Sequence, residues 1–193
     1  KVQVPSFNVI QNNHIYSPIN TQGGISAGGF RNVISHNTLE ETQIGVEYGY
    51  ESIVEFNDIL GGSQTISDAG LIYMTGYFVQ GNHIRYNFLH TWHAAGKGIY
   101  FDDLNLGNYA YGNIIDTAEA PGGAMRAFIY TSSGHNHVMS NNFCIGRSKL
   151  SKQIITPDGK RTETVISGVM TASAEEIIDG MAVATITGKK IGR

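Results

Sequence analysis

Three carboxylates flank two similar segments of this sequence. Asp68 precedes Gly70-Leu71-Ile72-Tyr73, and Asp102-Asp103 follow Lys97-Gly98-Ile99-Tyr100 after one phenylalanine. Two carboxyl groups are the usual equipment for cleaving a glycosidic bond: one protonates the leaving oxygen, and the other activates water or attacks the sugar. Groups suited to holding a sugar stand nearby in the sequence. Tyr100 offers a ring, and His90 and His93 bracket the corner before Lys97. Lys97 and Arg126 form a basic pair that would neutralise a uronic carboxylate in a β-elimination. The alternative for the same residues is structural. Asp68 then caps a turn, the aspartate pair ends a strand through local hydrogen bonds, and the basic and histidine side chains are solvated. No histidine or cysteine spacing has the form of a metal site, and the glycine-rich stretches lack the lysine of a phosphate loop. Neither a metal nor a cofactor is expected.

The elements that would carry these residues are written as a repeat. Six segments fit one template, broken only by Ser52 at the first position: Asn, any residue, an aliphatic or small residue, two of any kind, Asn, any residue, a large apolar residue. They are Asn8–Ile15, Asn32–Leu39, Ser52–Ile59, Asn82–Leu89, Asn108–Ile115 and Asn136–Phe143. The second asparagines, Asn13, Asn37, Asn57, Asn87, Asn113 and Asn141, recur at intervals of 24, 20, 30, 26 and 28. Periods of this size mark stacked coils, and their unequal length marks loops inserted at a corner. Stacked asparagine amides can hydrogen-bond along the stacking axis, and asparagine also tolerates the left-handed backbone of a tight corner. The pattern predicts an all-β, right-handed parallel β-helix of about six coils over residues 1–146. Leucine-rich repeats, the nearest rival, need more leucines than these segments hold.

Four strand-like segments between the asparagine corners end in tyrosine, which predicts one column of Tyr48, Tyr73, Tyr100 and Tyr130. Such a column either stacks inside the coil or offers rings to a sugar. With the tyrosines inward, alternation turns Glu47, Ile72, Ile99 and Ile129 outward, which spares Glu47 a costly burial. That parity favours Asp103 over Asp102 as the partner of Asp68. In aligned register the two lie eight positions apart, about 26 Å of extended chain. Catalysis through both therefore requires the coil to bend sharply.

Composition narrows the function classes. Of 193 residues only 15% are charged, 24 are Gly and 4 are Pro, a profile of neither a disordered chain nor a helical bundle. A net charge of −3 gives no electrostatic case for nucleic acid, and no run approaches a membrane span. The lone cysteine, Cys144, makes the fold independent of an internal disulfide. An opening of Lys1-Val2-Gln3 reads as a processed or excised piece. The template stops after Phe143. Residues 147–193 carry eight basic and five acidic residues, net +3, against −6 for residues 1–146. They read as an appendage that caps the last coil or joins chains into a homo-oligomer. In it, Pro157-Asp158-Gly159-Lys160 marks a turn, and Ser173-Ala174-Glu175-Glu176 would open a short helix running to Met181.

The asparagine repeat resembles the right-handed parallel β-helix proteins found among polysaccharide-active enzymes. Within them, Ser67–Tyr73, Asn82–His90 and Gly98–Asp103 resemble a bacterial glycoside hydrolase branch with α-L-fucosidase and xylanase activities. That branch combines Asp-x-Gly-x-Ile-Tyr, Ile-Arg-x-Asn-x-x-His and Gly-Ile-Tyr-x-Asp-Asp segments. The resemblance implies a secreted, extracellular or periplasmic protein acting on a polysaccharide or oligosaccharide, with Asp68 and Asp102 or Asp103 as the catalytic carboxyls. Polygalacturonase-type hydrolases match less well, because Asp102-Asp103 follows its strand and Gly134-His135 lacks the next glycine. Lyases or epimerases using Lys97 and Arg126, and a non-catalytic tailspike or adhesin module, are the alternatives.

Overall fold

The computed structural model describes residues 6–17, 23–62, 68–77, 79–90, 97–116 and 127–145, together with short strand segments between 151 and 182. The chain winds into a right-handed parallel β-helix with three sheets. The first sheet stacks Val9–Gln11, Val33–Ser35, Ile53–Glu55, His83–Arg85, Tyr109–Tyr111 and Val138–Ser140, all parallel. The second stacks His14–Tyr16, Thr38–Glu40, Asp58–Leu60, Phe88–His90, Ile114–Asp116 and Phe143–Ile145. The third runs from Ile25–Ser26 through Ile44–Glu47, Gly70–Thr75 and Lys97–Phe101 to Ala127–His135.

The strands are short because each coil turns after placing one or two apolar side chains inward. The first sheet contributes Ile34, Val54, Ile84 and Ala110 to the core, and the second contributes Leu39, Ile59, Leu89 and Ile115. The third adds Ile44, Ile72, Ile99 and Ile129. About four coils close around buried side chains on all three sides, against the six expected. Among the described residues the first-coil strands Val9–Gln11 and His14–Tyr16 have one neighbour each, and Val9 and Tyr16 are exposed.

Between the first and second sheets runs the asparagine column. The backbone N–H and the side-chain amide of Asn37 both donate to Oδ1 of Asn57, at 3.0 Å each. Asn57 repeats this onto Asn87, Asn87 onto Asn113, and Asn113 onto Asn142. The remaining amide proton reaches back to a main-chain carbonyl of the preceding coil, such as Ile34 for Asn57 and Val54 for Asn87. A second column opens the first sheet through Asn8, Asn32, Ser52, Asn82 and Asn108, and ends on Nδ1 of His137. Because His137 accepts there, its proton sits on Nε2. Its buried ring lies flat on Phe101, with centroids 4.6 Å apart.

The last coil corrects the expected register by one residue. His137 and Asn142, not Asn136 and Asn141, occupy the two columns. Asn136 and Asn141 hold the positions just before, where every coil has positive φ: 60° and 52° here, 55° at His36, 53° at Phe56 and 56° at Tyr86. Asparagine suits both jobs, the amide ladder and the left-handed corner, so its identity alone does not set the register. Along the corner before the second sheet the side chains His36, Phe56 and Tyr86 stack at 5.1 and 5.3 Å. The next position is Gly112, where a Cβ would lie 2.6 Å from the Tyr86 ring.

Past residue 146, Ser151–Ile155, Val165–Ser167 and Met170–Ala172 add in parallel to the ends of the three sheets. Where a short helix was expected to run to Met181, Ile177–Ile178 pairs antiparallel with Met181–Ala182. Among the described residues no helix is long and apolar enough to cross a membrane.

The columns predict a sharp contrast between neighbouring corner residues. Asn113→Ala removes a buried amide that makes several hydrogen bonds, and should lower unfolding free energy by about 1–3 kcal/mol. Asn141→Gly, at an exposed left-handed position, should stay within about 0.5 kcal/mol of the parent. Denaturant melts of both variants check this; equal losses would contradict the register.

Candidate active site

The side of the third sheet away from the core carries the tyrosines and carboxylates singled out by sequence. Tyr73, Tyr100 and Tyr130 are in register on adjacent strands. Tyr73 and Tyr100 stack at 5.0 Å, and Tyr130 meets Tyr100 edge-on at 5.1 Å. The expected parity is reversed: Ile72, Ile99 and Ile129 are the inward residues, each at most 1% exposed. Tyr48 is not in the column, since Gly45 pairs with Tyr73 and Tyr48 lies beyond the strand at φ 52°. Glu47 is indeed exposed, but at the end of its strand, where its exposure says little about the strand's buried face.

Two hydrogen-bonded groups flank the tyrosines. At one end, Asp68 accepts from the Lys97 ammonium at 3.3 Å and from the Tyr100 hydroxyl at 3.2 Å. The Lys97 side chain is buried, with its Nζ 4.0 Å from the centroid of Tyr100 and 5.1 Å from that of Tyr130. A lysine in this place meets a carboxylate and two ring faces, which together compensate the charge for its lost hydration. At the other end, Asp102 accepts from Tyr73 at 2.8 Å, from the Asp103 main-chain N–H at 2.9 Å and from Ser132. Asp103 accepts from Thr75 at 2.6 Å. The turn that presents both aspartates has positive φ at Asp103 (50°) and Leu104 (58°), and the Asn105 side chain ties it down by donating to the Asp102 carbonyl.

Asp68 and Asp103 line one cleft of about 400 Å³, with Tyr73, Thr75, Glu47 and Tyr77 among its other walls. Asp103 gets there through the left-handed turn, not through the strand alternation on which the preference for it over Asp102 was argued. Asp102 is absent from the lining. It is engaged by three donors and braces Tyr73 and the Asp103 backbone.

Of the other residues singled out by sequence, Lys97 and Tyr100 belong to this cluster. His90 does not. It sits on the second sheet, where its ring hydrogen-bonds to Asp58 and stacks on Phe88 at 4.0 Å. His93 and Arg126 lie outside the described residues. Tyr73, Thr75 and Ser132 were missed as site residues, although the tyrosine column itself was visible as a repeat. Among the described residues no group of three or more His, Cys, Asp or Glu side chains is arranged to hold a metal.

Burial is the main cause that raises the Tyr73 phenol well above its ordinary value, reinforced by its hydrogen bond to Asp102. Burial likewise raises Tyr100, with the Ser132 hydroxyl opposing and the charges of Asp102 and Asp68 adding. Both phenols are therefore neutral donors to carboxylates through the neutral pH range.

No protein-family model, curated protein or solved structure matches this chain. The class of the protein is that of a right-handed parallel β-helix, here with a cleft beside its third sheet lined by Asp68, Asp103 and Tyr73.

A folded-state phenol pKa above the unfolded one means that this part of the stability is intact below pH ~10 and is lost as pH rises beyond it. An alkaline absorbance titration should show two tyrosines ionising later than the rest. Tyr73→Phe should remove one of them, and Asp102→Asn should bring both to lower pH, because its charge raises Tyr100 as well. Unchanged late ionisation in both variants would contradict the assigned hydrogen bond.

Proposed function

We propose that this chain is a glycoside hydrolase that cleaves a polysaccharide with Asp68 and Asp103. The observation that carries the reading is that these two carboxylates, 35 residues apart in sequence, line a single cleft beside a column of tyrosine rings. One carboxyl protonates the glycosidic oxygen while the other activates water or attacks the anomeric carbon. Aromatic rings suit the apolar face of a sugar, and the Tyr77 and Tyr48 side chains extend that surface at the mouth. Asp102, Thr75 and Ser132 act as positioning residues that hold Tyr73 and the two-aspartate turn. The resemblance of Ser67–Tyr73 and Gly98–Asp103 to a hydrolase branch supports the same reading. Action on a polysaccharide fits an extracellular or periplasmic setting.

Charge favours hydrolysis of a neutral glycan over elimination from a uronate. Glu47, Asp68 and Asp103 line the cleft. The buried Lys97 is already engaged by Asp68 and two tyrosine faces, so it is poorly disposed to receive a substrate carboxylate.

A glycan panel assayed for new reducing ends and for ultraviolet absorbance separates the readings. Hydrolysis yields reducing ends alone, whereas elimination adds an absorbing unsaturated product. Asp68→Asn and Asp103→Asn should each lower kcat by a factor of about 10² or more. Asp103→Asn should keep the parent melting curve, whereas Asp68→Asn removes the charge that meets the buried Lys97 and should melt somewhat lower while still folding. Asp102→Asn should cost less, since it acts through its neighbours. Hydrolysis that survives both of the first two substitutions would refute the site, and absence of turnover across the panel would refute the enzyme reading.

A further inference from the structure

Where the third sheet turns toward the first, each coil places one residue with positive φ just before the Asn8–His137 column. In coil order these are Phe7, Arg31, Glu51, Gly81, Gly107 and Asn136. Four carry side chains and two consecutive ones do not. The missing side chains leave a gap between Glu51 and Asn136, three coil steps or about 14 Å along the axis. The gap is a cleft of about 410 Å³, as large as the one holding Asp68 and Asp103. It is formed by the same coils: the loops that send Tyr48, Tyr77 and Asp103 to the first cleft send Tyr50, Gln80 and Leu106 to the second, two or three residues later.

The walls have a definite chemistry. Tyr50 stacks loosely on Phe30, with centroids 6.4 Å apart, which makes an aromatic end. Leu106 adds an apolar patch, and the exposed Gln80 and Asn136 add uncharged donors and acceptors. The charge of Glu51 is met by Arg31 at 2.7 Å, and the Arg31 guanidinium also lies 5.0 Å from the Phe30 ring centroid. The short parallel ladder from Tyr50 through Gln80 to Leu106 fixes the floor. Rings, amides and a balanced ion pair around an open gap suit a ligand that is neutral, rich in hydroxyls and flat on one face.

We infer that this corner gap is a second glycan-binding site, taking a neutral oligosaccharide separately from the Asp68–Asp103 cleft. It requires no turnover, so it stands or falls independently of the hydrolase reading. Only its role rests on that reading: beside a hydrolytic cleft it keeps a polymer on the surface, since two linked contacts raise the effective concentration of chain at the second.

The test is an amide NMR titration of the full chain with xylohexaose, cellohexaose and, as a charged probe, hexagalacturonate. Gly81 and Gly107 report the corner gap, and Gly76 reports the carboxylate cleft. At least one neutral hexamer should shift Gly81 and Gly107, with hexagalacturonate weaker. Gly107→Asn fills the gap with the residue that already stands at φ 60° one coil on, and the nearest atom to its new Cβ is 3.9 Å away, so the fold should accept it. That variant and Tyr50→Ala should each weaken the Gly81 response about tenfold. Asp103→Asn should leave it unchanged while abolishing hydrolysis. Silent Gly81 and Gly107 amides with both neutral hexamers, preferential binding of hexagalacturonate, or parent-like binding in Gly107→Asn and Tyr50→Ala would each overturn the site. Loss of turnover in none of the carboxylate variants, with the Gly81 response intact, would count against the hydrolase alone.

Discussion

A parallel coil has no hairpin to set its register, so something must hold each turn directly above the last. Here that constraint is the asparagine amide. Each side-chain oxygen from Asn37 to Asn142 accepts two N–H groups from the coil before it, and each amide nitrogen from Asn37 to Asn113 bonds both along the column and back to a main-chain carbonyl. These groups are buried, so an unmade bond would carry its full desolvation cost. A shift of one coil by one residue would break the column and rotate the Ile and Leu side chains out of the core in the same step. Polar satisfaction and apolar burial thus enforce one register.

That rigidity on two sides leaves the third free to vary. Coil lengths change from 20 to 30 residues without disturbing the ladder, because the extra residues fall between the second sheet and the third or in the turns after it. The two clefts lie where regularity ends: the left-handed turn at Asp103 and Leu104 redirects the strand, and two glycines interrupt the corner column. The tyrosine ladder joins the two aspartate clusters across a distance that strand geometry alone would keep apart. Tyr100 reaches Asp68, and Tyr73 reaches Asp102.

Much of the architecture was legible in the sequence because the asparagine and aliphatic positions act through chemistry that one residue type supplies at fixed spacing. The errors arose where one residue type serves two roles. Asn141 and Asn142 both suit the last corner, and only the hydrogen-bonded pairing with Asn113 distinguishes them. The tyrosine parity was inferred from Glu47, a strand-end residue next to the left-handed Tyr48, and so came out reversed. His90 shares a coil with Lys97 but stands on a different sheet, which sequence proximity conceals. The meeting of Asp68 and Asp103 in one cleft depends on a backbone turn of non-glycine residues that no local pattern announces. Thr75 and Ser132 were invisible for the same reason, being ordinary strand residues until Asp102 and Asp103 arrive beside them.

Side-chain amide hydrogen exchange tests the ladder most directly. The Nδ2 protons of Asn57, Asn87 and Asn113 should exchange only through global unfolding, with the same denaturant dependence as the main-chain amides of Ile84 and Leu89. Exchange of those side-chain protons at the rate of an exposed asparagine, while the Ile84 and Leu89 amides stay protected, would show that the coils are held in register by something other than the asparagine column.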